Sequence, residues 1–187
     1  MASNMHNDRA RRNRWSLLVW GLAALLLLLP AVAMQFTADV NWGVGDFIVM
    51  GVMLSVACGL YEVVARLSSN TWYRAGAGIA IVTGFLTVWV NLAVGMLGSE
   101  HNPANTLFAG VLFVAALGAV IARFRATGMA RAMYATAAAQ GAMTLYALFG
   151  GYSEVVFHVG VFMLPWLVSA QLFARAANSQ RTNENPG

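Results

Sequence analysis

Six stretches of this chain, residues 15–34, 47–65, 75–97, 105–122, 132–150 and 153–174, run almost without charge for close to the ~20 residues that a helix needs to cross ~30 Å of hydrocarbon. Water cannot be the solvent for such a chain. It is 59% hydrophobic and 10% charged, whereas a soluble domain carries about 25% charged residues. The fold class this implies is all-α, a polytopic bundle of six transmembrane helices, because a helix satisfies every backbone polar group within its own segment. The domain organisation follows: a basic N-terminal segment over 1–14, a six-helix membrane domain over 15–175, and a disordered polar tail over 176–187.

The basic residues fix the orientation. All 11 are arginine. Arg9, Arg11, Arg12 and Arg14 precede the first stretch, Arg66 and Arg74 flank the second connection, and Arg123, Arg125 and Arg131 flank the fourth. Arg175 and Arg181 follow the last. With six spans every arginine falls on one side, and connections 35–46, 98–104 and 150–151 carry none, so both termini are expected in the cytoplasm. The stretch 132–150 is the least greasy, with Ala135, Ala137, Ala138, Ala139, Gly141 and Ala142 around Gln140. Residues that small let backbones approach closely, which suits a helix enclosed by the others. Leaving it out would put Arg175 and Arg181 outside. The start of the chain also has the look of a cleavable signal peptide, with an apolar run ending at Pro30 and Ala31-Val32-Ala33 after it. The length of that run favours a retained helix.

Trp15, Trp42, Trp72, Tyr73 and Tyr152 lie at the expected helix ends, the depth that amphipathic rings prefer. Pro165 should kink the last helix because it cannot donate to Val161, and Pro30 sits likewise near the end of the first. Asp46, Glu100 and Glu154 recur at even spacing, each ahead of an even-numbered helix. Three helical hairpins fit this pattern, although alternating topology alone would produce much of it.

Polar residues at membrane depth are the functional candidates. Ser55, Gly59, Glu62 and Arg66 share one face of the second helix, with Glu62 placed to pair with Arg66 one turn on. Thr83, Thr87, Asn91 and Gly95 form a stripe on the third. Ser55, Thr87, Asn91 and Gln140 are the candidates for a path for a neutral solute, and interhelical hydrogen bonding is the plainer reading of the same groups. On the outer side Asp39, Asp46, Glu100, His101, Asn102, Asn105, Glu154 and His158 gather. Glu100, His101, Glu154 and His158 offer the oxygen and nitrogen donors of a transition-metal site, and His101 with His158 could ligate a haem. His6, on the other side, cannot join them. Cys58 is alone, so there is no disulfide framework.

The sequence pI of about 9.8 does not point to nucleic acid, because the arginines are spread along the chain rather than gathered in one arm. There is no phosphate loop, nucleophile elbow, paired-cysteine motif or HExxH. An enzyme is therefore not the expected reading, and no catalytic residue or cofactor is expected. The expected partners are the lipid bilayer and, within it, a second copy or another membrane protein. The leading reading is a non-enzymatic membrane interaction or assembly module, with loop 98–105 as a contact element. The alternatives are a small channel or carrier for a neutral solute, and a metal- or haem-dependent redox protein.

Three stretches carry a resemblance. They are Met34-Gln35-Phe36-Thr37 with Val40-Asn41-Trp42 and Asp46-Phe47; Val88-Trp89-Val90-Asn91-Leu92-Ala93-Val94-Gly95 leading to Gly98-Ser99-Glu100-His101-Asn102-Pro103-Ala104-Asn105; and Ile121-Ala122-Arg123-Phe124-Arg125 with Gly128-Met129-Ala130-Arg131. Over residues 34–150 the chain resembles a family of small, uncharacterised bacterial inner-membrane proteins. The resemblance implies a bacterial plasma membrane location and a helical bundle, and it brings no activity. Where that family has an acidic residue after Glu100, this chain has His101.

Overall fold

The computed structural model describes the backbone of residues 2–184 and the side chains of residues 16–182. His6, the arginines at 9, 11, 12 and 14, and Trp15 therefore fall outside the described side chains. Every regular element is helical, with no strand among the described residues: α1 Ala2–Ala33, α2 Val44–Leu67, α3 Thr71–Ala93, α4 Phe108–Ile121, α5 Ala126–Phe149, α6 Val156–Val161 and α7 Met163–Glu184. Short 3-10 turns, Pro103–Leu107 and Ser153–Val155, lead into α4 and α6.

Five segments among the described residues are long and apolar enough to cross a membrane: Ser16–Ala33, Val44–Leu67, Thr71–Ala93, Pro103–Ile121 and Ser153–Thr182. Their outward faces are apolar too, with Leu25, Ile48, Phe113 and Ile121 all more than half exposed. A soluble protein would bury such side chains. The protein is a multi-pass helical membrane protein.

The chain divides into two units, residues 1–63 and 64–187. In the first, Leu27 of α1 packs beside Gly51 of α2, and Ala23, Met50, Leu54 and Cys58 are buried. The spacing Met50, Leu54, Cys58 puts one residue per turn on one face of α2. The Cys58 Sγ lies 3.9 Å from the Val19 carbonyl oxygen. Ser16 donates to the Glu62 carboxylate, giving Glu62 a partner on α1 that its spacing to Arg66 did not suggest.

The second unit is built around α5. Although α5 has 24 residues, enough for about 36 Å, its alanine, threonine and glutamine content leaves it less apolar than the five segments above. Its fit against α4 depends on small residues. A Cβ on Gly118 would lie 2.7 Å from that of Ala132, and one on Gly128 would lie 2.7 Å from that of Ala122, so the two helices touch nearly backbone to backbone. Met129, Ala130, Met133 and Ala137 of α5 then join Tyr73 and Ala77 of α3 and Trp166, Ala170 and Phe173 of α7 in one apolar cluster. A second cluster, with Leu97, Phe108, Val111, Ala147 and Val159, fills the other end. Enclosure of α5 is only partial, because Tyr134, Leu145, Tyr146 and Leu148 leave one side of it exposed.

The stretch read as one kinked helix over 153–174 is broken at Phe162, three residues before Pro165. The expected tail beginning at Ala176 is instead helical as far as Glu184. Ala176 and Ala177 are buried and extend the stripe of Ala170 and Phe173 by one more turn, so packing holds this segment in the helix. Asn70, the N-cap of α3, accepts from the Tyr73 N–H and donates to Ser179 Oγ at 2.8 Å, which ties α7 to the start of α3. Arg175 adds a cation–π contact to Trp72, 5.3 Å from the ring centre.

Candidate functional site

The connection from α3 to α4 is held by a dense set of bonds from side chains to backbone. α3 ends with the Gly95 N–H donating to Val90 O, and Gly95 then takes φ +74°. A Cβ there would sit 2.2 Å from the Ser99 carbonyl oxygen, so only glycine lets the chain double back. Two asparagines hold the returning strand of the loop. Asn105 Oδ1 accepts from the Leu97 N–H at 2.9 Å, and its Nδ2 donates to Ser99 O at 2.6 Å. Asn102 Nδ2 donates to Leu97 O at 2.8 Å, while its Oδ1 caps the next turn through the Ala104 N–H. Both polar groups of buried Leu97 are thereby satisfied by side chains, which compensates for leaving the helix at a buried position.

The tip of that loop is its opposite in character. Glu100 and His101 are exposed and touch each other, with His101 Nδ1 3.2 Å from Glu100 Oε1. Glu154 lies in the 3-10 turn Ser153–Val155 and His158 in α6, both exposed. Among the described residues no three His, Cys, Asp or Glu side chains gather into a group able to hold a metal. Thus Glu100 and His101 are brought together, and Glu154 and His158 do not complete a ligand set with them. Both imidazoles considered for haem ligation, His101 and His158, are exposed.

The solute-path candidates separate as well. Ser55 belongs to the first unit, is exposed, and donates to Gly51 O one turn back. In the second unit Thr87 and Gln140 are wholly buried and Asn91 is partly so. Thr83, Thr87 and Asn91 each donate to the carbonyl four residues earlier, Ile79, Thr83 and Thr87 respectively, at 2.7–2.8 Å. Thr136 and Thr144 do the same on α5. A side chain that bonds its own helix is cheap to bury and offers little to a passing solute. Gln140 differs: its Nε2 crosses to Val159 O on α6 at 2.9 Å. Among the described residues three buried side-chain atoms remain without a hydrogen-bond partner, Asn91 Oδ1, Gln140 Oε1 and Trp166 Nε1.

Sequence reasoning overlooked Trp166 and Ser169. Ser169 Oγ bonds Gly76 O of α3 at 2.8 Å and fixes the α3–α7 crossing. A tryptophan in the middle of an apolar span, away from the headgroup depth, was a readable sign that its N–H faces protein. Compared with known protein families, curated proteins and solved structures, the chain matches none.

Proposed function

We propose that the chain is a non-enzymatic interaction or assembly module of a bacterial inner membrane. In this reading it crosses six times with both termini cytoplasmic, α5 being the sixth span, and the loop from Gly95 to Asn105 is its recognition element. The observation that carries the proposal is the division of labour in that loop: Gly95, Asn102 and Asn105 set its backbone, leaving Glu100 and His101 exposed at the tip. A preorganised tip loses little conformational entropy when a partner binds. The length of α5 and the placement of Arg66, Arg74, Arg123, Arg125 and Arg181 at or beside helix ends support the six-span topology.

A photo-crosslinking residue in place of His101, activated in the native membrane, should give a discrete adduct with a second copy or another membrane protein. The Asn105→Ala background, with the loop loosened, should weaken that adduct. A protein that forms no adduct and stays monomeric in mild detergent refutes the proposal. For topology, in a Cys58→Ser background, cysteines at Ser99 and Asn178 should react with an impermeant thiol reagent from opposite sides of the membrane. Labelling from the same side removes α5 as a span.

One observation favours a second reading, a path for a small neutral solute. The unpartnered Asn91 Oδ1 and Gln140 Oε1 are acceptors buried in an apolar bundle, where an unmet group costs free energy unless water or solute meets it. Liposome flux of glycerol or urea that falls in Gln140→Leu would support this reading; flux equal to that of protein-free liposomes would eliminate it.

A further inference from the structure

At the end of the second unit where the arginines gather, the last turn of α2, the α4–α5 turn and the final third of α7 surround a recess of about 380 Å³. We propose that this recess binds a phosphate group, carried by an anionic phospholipid headgroup or by a soluble phosphoryl compound.

Its charge is the first argument. Arg125 reaches the recess from the α4–α5 turn and Arg181 from α7, and no acidic side chain lines it. Neither arginine has an acidic partner among the described residues. In this unit the acids with described side chains, Glu100 and Glu154, sit on the loops at the other ends of the helices. Guanidinium groups present paired N–H donors that match phosphate oxygens. The neutral donors Ser68, Thr127 and Gln180 complete a lining in which a phosphate can be bonded on several sides.

Its rigidity is the second argument. Arg123 and Phe124 both take positive φ, 48° and 57°, which is costly for residues with a Cβ. The turn is held there by the buried Tyr73, whose hydroxyl donates to Phe124 O at 2.7 Å. The Asn70–Ser179 bond holds α7 against the start of α3 on the same side. The walls are thus fixed by contacts that do not involve either arginine. Arg125 is the N-cap of α5 but makes no side-chain cap bond, so it is available to a ligand. The positive end of the α5 backbone adds to a field that the two arginines already establish.

The test uses the full chain in two arms, with Arg125→Gln/Arg181→Gln as the variant and Arg123→Gln, an exposed neighbour outside the recess, as the control. In the first arm, native mass spectrometry follows protein from phosphatidylcholine nanodiscs with and without phosphatidylglycerol. In the second, inorganic phosphate is titrated in dodecyl maltoside and thermal stability is read. Each arginine removed should weaken binding roughly tenfold, the loss expected for one charge-assisted hydrogen bond. Retained phosphatidylglycerol lost only in the double variant assigns the site to a lipid headgroup. Phosphate protection lost only in the double variant assigns it to soluble phosphoryl compounds. Equal binding by wild type and double variant, or equal loss in the control, overturns the proposal. Unliganded melts of variant and wild type should coincide, and Arg125→Lys/Arg181→Lys should recover part of the affinity.

Discussion

Asn105→Ala should destabilise the protein by about 2–4 kcal/mol, and the structure supplies each part of that figure. The Asn105 amide makes two bonds, accepting from Leu97 N and donating to Ser99 O. Leu97 is 1% exposed, so its N–H would lose its partner with no water to replace it, at ~1–3 kcal/mol. Ser99 is exposed and its carbonyl can be rehydrated, so that bond adds only its net worth of ~1 kcal/mol. Asn102→Ala also removes two bonds, but Asn102 is only half-buried and water can enter, so its cost should stay near 1 kcal/mol. Equilibrium unfolding in mixed dodecyl maltoside and dodecyl sulfate micelles measures both, and amide exchange reports Leu97 directly. Asn105→Ala should be the worse of the two and should speed exchange at Leu97. An Asn105→Ala variant within about 0.5 kcal/mol of wild type, with Leu97 exchange unchanged, would show that the asparagine frame does not hold this loop.

Three other perturbations test the packing of the second unit. Gly118→Leu drives a side chain into Ala132, where even a Cβ would come within 2.7 Å, and should cost about 1–3 kcal/mol in the same unfolding assay. Ser169→Ala deletes the bond to Gly76 O and should cost only ~0.6 kcal/mol, the average for interhelical bonds in a membrane. Pro165→Ala restores a donor that can reach Val161 O and should slow amide exchange across residues 162–166, because the α6–α7 break then has one cause fewer.

The sequence made the helices legible because membrane-crossing length and apolarity are one-dimensional properties, readable without knowing what packs on what. The stretches read at 47–65 and 75–97 correspond to α2 and α3, although α3 begins at Thr71 and ends at Ala93, four residues earlier at each end. Orientation around each axis is harder. The small residues of α5 announced close approach, and Gly118 against Ala132 delivers it, yet they did not disclose that Tyr134 and Leu145 would stay exposed. The polar composition after Arg175 suggested a loose tail, while the recurrence of Ala170, Phe173 and Ala176 at helical spacing carried the opposite message. Glu154 and His158 lie one turn apart only if the helix is already regular there, and the chain is still in a 3-10 turn at Ser153–Val155. As for the candidate site, the stripe of Thr83, Thr87 and Asn91 was visible, but spacing cannot say whether a hydroxyl faces a neighbour or bonds its own backbone. The asparagines at 102 and 105 were noted as polar loop residues, and their role as backbone partners required coordinates.

The loop between α3 and α4 separates shape from display. Its form is set by two glycines at positive φ, Gly95 and Gly98, and by two asparagine side chains directed at main-chain atoms, whereas the side chains of Glu100 and His101 reach no backbone group of the loop. The two tip positions can therefore change identity while the turn that presents them stays the same. The same positions should accept a grafted epitope without refolding what lies beneath.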